Sequence, residues 1–277
     1  MARLWDSSEY SDVKIVNNKD VYLLHKAIIC TQSGFFRRCL EVNMKVNDPN
    51  TRSIAILKSL QEKSEGVIEL HEDPHLAHCM LKSLYTGTYS YPDRSSRMQF
   101  DVQIYGLALQ YDMLKLQNLA KTSFTCNSRD LADVPDANLR FWAPNVHESA
   151  QTEDFFKAVE LLYENTVQDT DDLRTFAATL AERRLSRLES SNMLDETRAW
   201  ARRIEEHDEL MVDIVFSTAG WLSAASKTKF FGQWYHHGAY IQLVMDEAHV
   251  SKKRAIIALK AANGHTAEAI KMALGAF

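Results

Sequence analysis

The chain opens with two short runs in which apolar and polar positions alternate, Asp12-Val13-Lys14-Ile15-Val16 and Val21-Tyr22-Leu23-Leu24, separated by Asn17-Asn18-Lys19-Asp20. Alternation of period two puts one set of side chains on one face, and a polar turn between two such runs predicts a β-hairpin. The period then lengthens. Ala27, Ile28 and Cys30, then Phe35, Phe36, Cys39 and Leu40, recur at helical spacing on either side of a break at Ser33-Gly34. Val67-Ile68-Glu69-Leu70 predicts a third strand. Asp73-Pro74 predicts a helix start, because the carboxylate can accept the first free backbone N–H groups and proline lacks one of them. That helix buries Leu76, Met80, Leu81 and Leu84 and stops by Gly87, and a helical pair over residues 100–126 comes next.

Residues 129–152 contain Pro135 and Pro144 without a sustained period and read as a linker. Helical spacing resumes at Phe155-Phe156-Lys157-Ala158-Val159 and continues through Leu162-Tyr163. A second helix starts at Asp171-Asp172, where acidic residues complement the helix dipole, and runs through Phe176, Leu180, Leu185 and Leu188. A third is predicted over residues 197–215, burying Trp200, Ile204, Met211 and Ile214. Residues 223–238, rich in Ser, Ala, Lys, Gly and aromatics, read as a second linker. Three short helices complete the chain: one through Ile241-Gln242-Leu243-Val244-Met245, one capped by Ser251, and one starting at Thr266 after the helix stop Asn263-Gly264.

Several of these phrases together carry a resemblance. Tyr10-Ser11-Asp12-Val13, His25-Lys26-Ala27-Ile28-Ile29-Cys30, Ser33-Gly34-Phe35-Phe36, Val67-Ile68-Glu69-Leu70 and Leu84-Tyr85-Thr86-Gly87-Thr88-Tyr89 stand in the order and spacing of BTB/POZ domains, above all the short ones of filamentous fungi. The resemblance covers roughly residues 8 to 128, and residues 155–174 are similar to the segment after the domain in those proteins. The last 39 residues (239–277) resemble the ubiquitin-associated-type (UBA-like) module of the nascent-polypeptide-associated complex alpha subunit. Val250-Ser251-Lys252-Lys253-Arg254-Ala255, Ala258-Leu259-Lys260, Asn263-Gly264 and Ala269-Ile270 carry that likeness. One stretch fits neither pattern. Joining Lys45 directly to Glu62 would restore a normal BTB loop, so residues 46–61 read either as an insertion or as a retained intron, since a Val codon begins with GT and a Gln codon can end in AG.

The expected fold class is therefore α+β: a BTB/POZ domain (small sheet with helical cluster) over 1–128, a linker over 129–152, and an all-α region over 153–222. A linker over 223–238 and a three-helix UBA-like module over 239–277 complete it. BTB domains dimerise, and Leu4, Trp5, Ala27 and Ile28 are the candidate interface residues. Leu4 and Trp5 are apolar side chains that a monomer would leave exposed. The resemblance implies an interaction scaffold, often a substrate adaptor for a cullin-type ubiquitin ligase. Yet the hydrophobic-x-acidic tripeptide common in cullin binders is missing, because Leu76-Ala77-His78-Cys79-Met80-Leu81 holds no carboxylate. The alternative is a ribosome- or nascent-chain-associated factor that uses His249, Val250, Lys252, Lys253 and Arg254, with the BTB domain setting valency. Val250 and its neighbours lack the Met-Gly-aromatic loop through which ubiquitin binders of this fold commonly act.

Composition narrows the chemistry. A net charge of −5 over 277 residues gives no general basic field, so specific DNA binding is not expected. The four cysteines, Cys30, Cys39, Cys79 and Cys126, are scattered without a CxxC pair, and no apolar run approaches the ~20 residues of a membrane span. Both features imply a cytoplasmic or nuclear protein. His71, His75 and His78 beside Glu72 and Asp73 have ligand chemistry, but Pro74 separates His71 from the other two and the cluster reads as an exposed helix start. Asp169, Asp171 and Asp172 lack the glycine of a calcium loop, and no GxSxG elbow occurs. No catalytic residue, cofactor or metal is expected, and the chain is read as a non-enzyme.

Overall fold

A computed structural model describes residues 2–40, 67–92, 96–132, 146–165, 172–216, 220–250, 252–262 and 264–275. It is mixed α+β and mostly helical, with one three-stranded sheet. The chain divides into two compact units, Met1–Cys126 and Asn127–Phe277.

In the first unit, α1 (Ala2–Asp6) precedes β1 (Val13–Asn17) and β2 (Asp20–Leu24), which pair antiparallel with Ile15 opposite Tyr22. The hairpin predicted from alternation is present, closed over Asn18-Lys19 with Asn18 at φ 55, a left-handed value that asparagine tolerates better than most residues. Next come α2 (Lys26–Gln32), α3 (Gly34–Leu40) and β3 (Val67–Leu70). β3 adds parallel to β1, giving the order β2-β1-β3. Val13, Ile15, Leu24, Ile68 and Leu70 are buried on one face, as the period-two pattern requires. Asn17 holds the far end of the sheet. Its buried amide accepts from the Glu72 N–H at 2.9 Å and donates to the Glu72 carbonyl at 3.2 Å, continuing the pairing beyond the last strand residue.

The break between α2 and α3 has a specific cause. Ser33 is extended, and its hydroxyl donates to the Tyr111 carbonyl at 2.7 Å while accepting from the Phe36 N–H. Gly34 donates to the Asp112 carbonyl at 3.0 Å, and a Cβ there would overlap the Asp112 carboxylate. Only glycine fits that approach without displacing the Asp112 side chain and its ion pair with Arg38. Helix α4 (Pro74–Thr86) starts as predicted: Asp73 Oδ1 accepts from the His75 and Leu76 N–H groups, and Gly87 ends the helix at φ 73. Helices α5 (Arg97–Gln110) and α6 (Leu114–Ala132) come after it. Residues 46–61 lie outside the described residues.

The second unit is helical in its described residues apart from short turns: α7 (Val146–Asn165), α8 (Asp172–Ser190), α9 (Leu194–Glu205), α10 (Asp208–Phe216), α11 (Ala224–Ala248), α12 (Lys252–Ala261) and α13 (Thr266–Ala273). Three expectations need correcting. The expected linker over 129–152 is helix at both ends, within α6 to Ala132 and within α7 from Val146, while residues 133–145 lie outside the described residues. The helix predicted over 197–215 is two helices, broken at Glu206-His207. Trp200, Ile204, Met211 and Ile214 are all buried, so the apolar period runs through the break and conceals it. The overlooked sign is a second acidic first turn, Asp208-Glu209. The expected linker over 223–238 is helix. Ser223 caps α11 by accepting from the Ser226 N–H, and the element continues to Ala248 with one non-helical residue, Phe231. Lys227 and Phe231, both buried, hold this segment in the core. Helix α10 packs on both α11 and α12, so the last three helices join the rest of the second unit.

Candidate interaction surfaces

Two motifs of the first unit meet although 60 residues separate them. The Tyr85 hydroxyl accepts from the His25 backbone N–H at 2.8 Å and lies 3.0 Å from His25 Nδ1, while Nε2 lies 2.8 Å from the Glu9 carbonyl. The tautomer protonated on Nε2 satisfies all three contacts, with Tyr85 donating to Nδ1. This joint ties the end of β2 to α4 and to the segment after α1, and so positions the N-terminus.

Trp5 of α1 is not left exposed. Its ring sits 5.5 Å from Tyr85, 5.4 Å edge-on to His78 and 6.0 Å from Tyr22, so it is half-buried within its own chain. Leu4 beside it is 36 % exposed, Ala27 is exposed and Ile28 half-exposed. Helices α1 and α2, which carry these residues, both pack on α4. Leu4 and Ala27 are thus exposed, Trp5 and Ile28 keep part of their surface open, and Trp5 also anchors the helix that presents Leu4. Sequence patterning overlooked Val21 and Leu23, which are 54 % and 46 % exposed on the sheet face opposite the core; their place in an alternating strand was the available signal.

The histidines near α4 have separate surroundings. His75 lies 3.7 Å from Cys79 Sγ and against the Phe100 ring, His78 faces Trp5 and Tyr22, and His71 is exposed. Burial pushes the His78 pKa below its ordinary value, with Lys82 and His75 adding to the shift and Asp20 opposing it. Among the described residues no group of three His, Cys, Asp or Glu side chains could hold a metal ion. No described helix is long and apolar enough to cross a membrane. Cys39 is pushed up to about 11, chiefly by burial, which leaves its thiol protonated and a poor nucleophile at neutral pH.

At the other end of the chain, His249 ends α11 in the left-handed region at φ 50, ψ 43. The turn is made without glycine, and the N–H groups of His249 and Val250 both reach the Met245 carbonyl. His249 and Arg254 are exposed and Val250 is half-exposed. Ser251 and the side chains of Lys252 and Lys253 lie outside the described residues, although Lys252 begins α12. The chain matches no known protein-family model, and no curated protein is significantly similar to it.

Proposed function

We propose that the chain is a non-enzymatic interaction scaffold whose first unit is a BTB/POZ-type homodimerisation domain. The observation that carries this reading is the apolar surface left open on α1 and α2, Leu4 with Ala27 and Ile28, on helices that share α4 as their support. The clamp between His25 and Tyr85 adds to it, because it gives a structural reason for two of the phrases on which the family resemblance rests. Self-association is favoured over ligase adaptor work, since Ala77, Cys79, Met80 and Leu81 are buried where a cullin-binding member would offer a carboxylate. Light scattering of the full chain at tens of micromolar should give twice the 31.7 kDa chain mass, and Leu4→Asp should return it to monomer. A wild-type protein that stays monomeric would sink the proposal.

A second reading, a factor on ribosomes or nascent chains, draws on the exposed His249 and Arg254 at the start of the C-terminal helices. Affinity purification separates the two: a cullin scaffold or other protein partners for the first, ribosomal proteins for the second.

A further inference from the structure

Within the second unit, α7, the turn between α9 and α10, and α12 together line a groove of about 280 Å³. Val159, Leu210 and Ile256 are buried beneath it, and Ile257 is 58 % exposed at its rim. Tyr163 is fixed in its wall: the hydroxyl donates to Asp213 Oδ2 at 2.5 Å, and the Arg174 guanidinium lies 4.5 Å from the ring centroid. The Arg174 guanidinium also donates to the Tyr163 carbonyl at 3.0 Å. The lining carries four carboxylates. Glu160 and Glu164 stand exposed one helical turn apart on α7, and Asp208 and Glu209 begin α10. Among the described residues, the lining includes one histidine, His207, and no lysine or arginine. Neither Glu160 nor Glu164 forms an ion pair with another described residue.

We propose that this groove binds a short segment of a partner protein carrying a lysine or arginine next to an aliphatic residue. Its volume lies at or below the ~300–1,000 Å³ of small-molecule sites, which suits one or two side chains rather than a whole ligand. A long basic side chain matches both parts of the lining: its methylene stem can lie along Ile257 while its cation reaches Glu160 and Glu164. Two carboxylates one turn apart repel each other, so a cation between them relieves an existing strain on the surface. An acidic or uncharged segment gains no such relief. The site does not depend on self-association of the first unit.

Fluorescence anisotropy of the full chain tests it, with a labelled decapeptide holding two Lys-Leu pairs between Gly-Ser spacers. Saturable binding with Kd below about 100 µM is expected in low salt, and a Glu-Leu counterpart should not bind. Glu160→Lys/Glu164→Lys should weaken binding about tenfold or more, whereas Asp130→Lys/Glu268→Lys, an equal change of charge at exposed positions outside the lining, should change it less than about twofold. Ile257→Ala, which leaves every charge in place, should weaken it several-fold and serves if the double variant fails to fold. Absence of saturable binding, equal losses in the two double variants, or full binding by both groove variants would overturn the proposal.

Discussion

The two units differ in the charged groups they bury. Among the described residues of the first, the buried polar and charged ones are Asn17, His25, Ser33, Ser83 and Asp101, and no lysine or arginine is among them. Backbone groups and tyrosine hydroxyls receive them: Asn17 meets the Glu72 backbone, Ser33 the Tyr111 carbonyl, and Asp101 Oδ1 accepts from Tyr89 at 2.6 Å and Tyr91 at 2.9 Å. The described residues of the second unit bury Arg174, Arg184, Glu182 and Lys227 besides Ser128, Asp154 and Thr197. Arg184 donates to the Leu131 carbonyl at 2.6 Å with its guanidinium 4.9 Å from the Trp200 ring centroid. Lys227 lies 3.3 Å from Glu182, with side chains 8 % and 0 % exposed. Hydrogen bonds to backbone fix the local course of a loop or strand end. Buried ions fix which helix lies beside which, and each is costly once its partner is gone.

The largest effect should therefore come from the second unit. Glu182 ties α8 to the start of α11 twice, through Lys227 and through the Leu222 N–H at 3.2 Å. Glu182→Ala takes the carboxylate from a buried ammonium, which keeps the Val215 carbonyl at 3.5 Å, and from the Leu222 N–H, and should cost ~3–5 kcal/mol. Urea denaturation followed by tryptophan fluorescence reads this unit well, because four of the five tryptophans, all but Trp5, lie in it. Glu182→Met combined with Lys227→Met should recover most of the loss. A double variant as unstable as the single one would mean that the ions do not act as a pair.

A smaller effect is expected in the first unit. Asp101→Ala removes the acceptor of two tyrosine hydroxyls and should cost ~2–3 kcal/mol, while Asp101→Asn keeps an oxygen there and should lose less than half as much. Burial and the Asp101 charge raise the Tyr89 pKa far above its ordinary value, so Tyr89 remains a donor at any pH the fold survives. Equal damage from the two substitutions would show that charge, not acceptance, matters at this position, and the contrast between the units would fail.

The same contrast explains what the sequence disclosed. The Asp73-Pro74 start, the Gly87 stop and the hairpin are local devices, each written within a few neighbouring residues, and each was legible. The pairing of Glu182 with Lys227 joins residues far apart in the chain and has no local sign, so residues 223–238 read as linker on composition although a buried lysine and Phe231 make them helix. Leu4 and Trp5 were legible as apolar side chains in search of cover, which Trp5 finds in part within its own chain, whereas Ala27 and Ile28 became candidates only through the family resemblance. The groove was not, because its lining comes from three segments whose carboxylates each look like an ordinary solvated helix face.

The smallest effect expected is on pH dependence, and it probes one histidine in each unit. Burial holds His207 below its ordinary pKa, and its ring stacks on Phe156 with centroids 5.5 Å apart. Arg203 pushes it further down, while Glu160, Glu206 and Asp208 push it back up. His78 is lowered for the same leading reason. A histidine whose folded pKa is depressed costs nothing while both states are neutral, above the unfolded value of about 6.5. Below that, the unfolded chain takes up its proton first, and stability falls with pH until the folded form titrates as well. Denaturation curves between about pH 7.5 and 5.5 should thus slope downward, and His207→Phe and His78→Phe should each flatten the slope. Glu160→Gln removes the strongest of the charges that favour the His207 imidazolium. It should leave the onset unchanged and carry the loss to lower pH in the second unit alone. A slope indifferent to both phenylalanine variants would locate the acid sensitivity elsewhere, and an unchanged profile in Glu160→Gln would separate that carboxylate from His207.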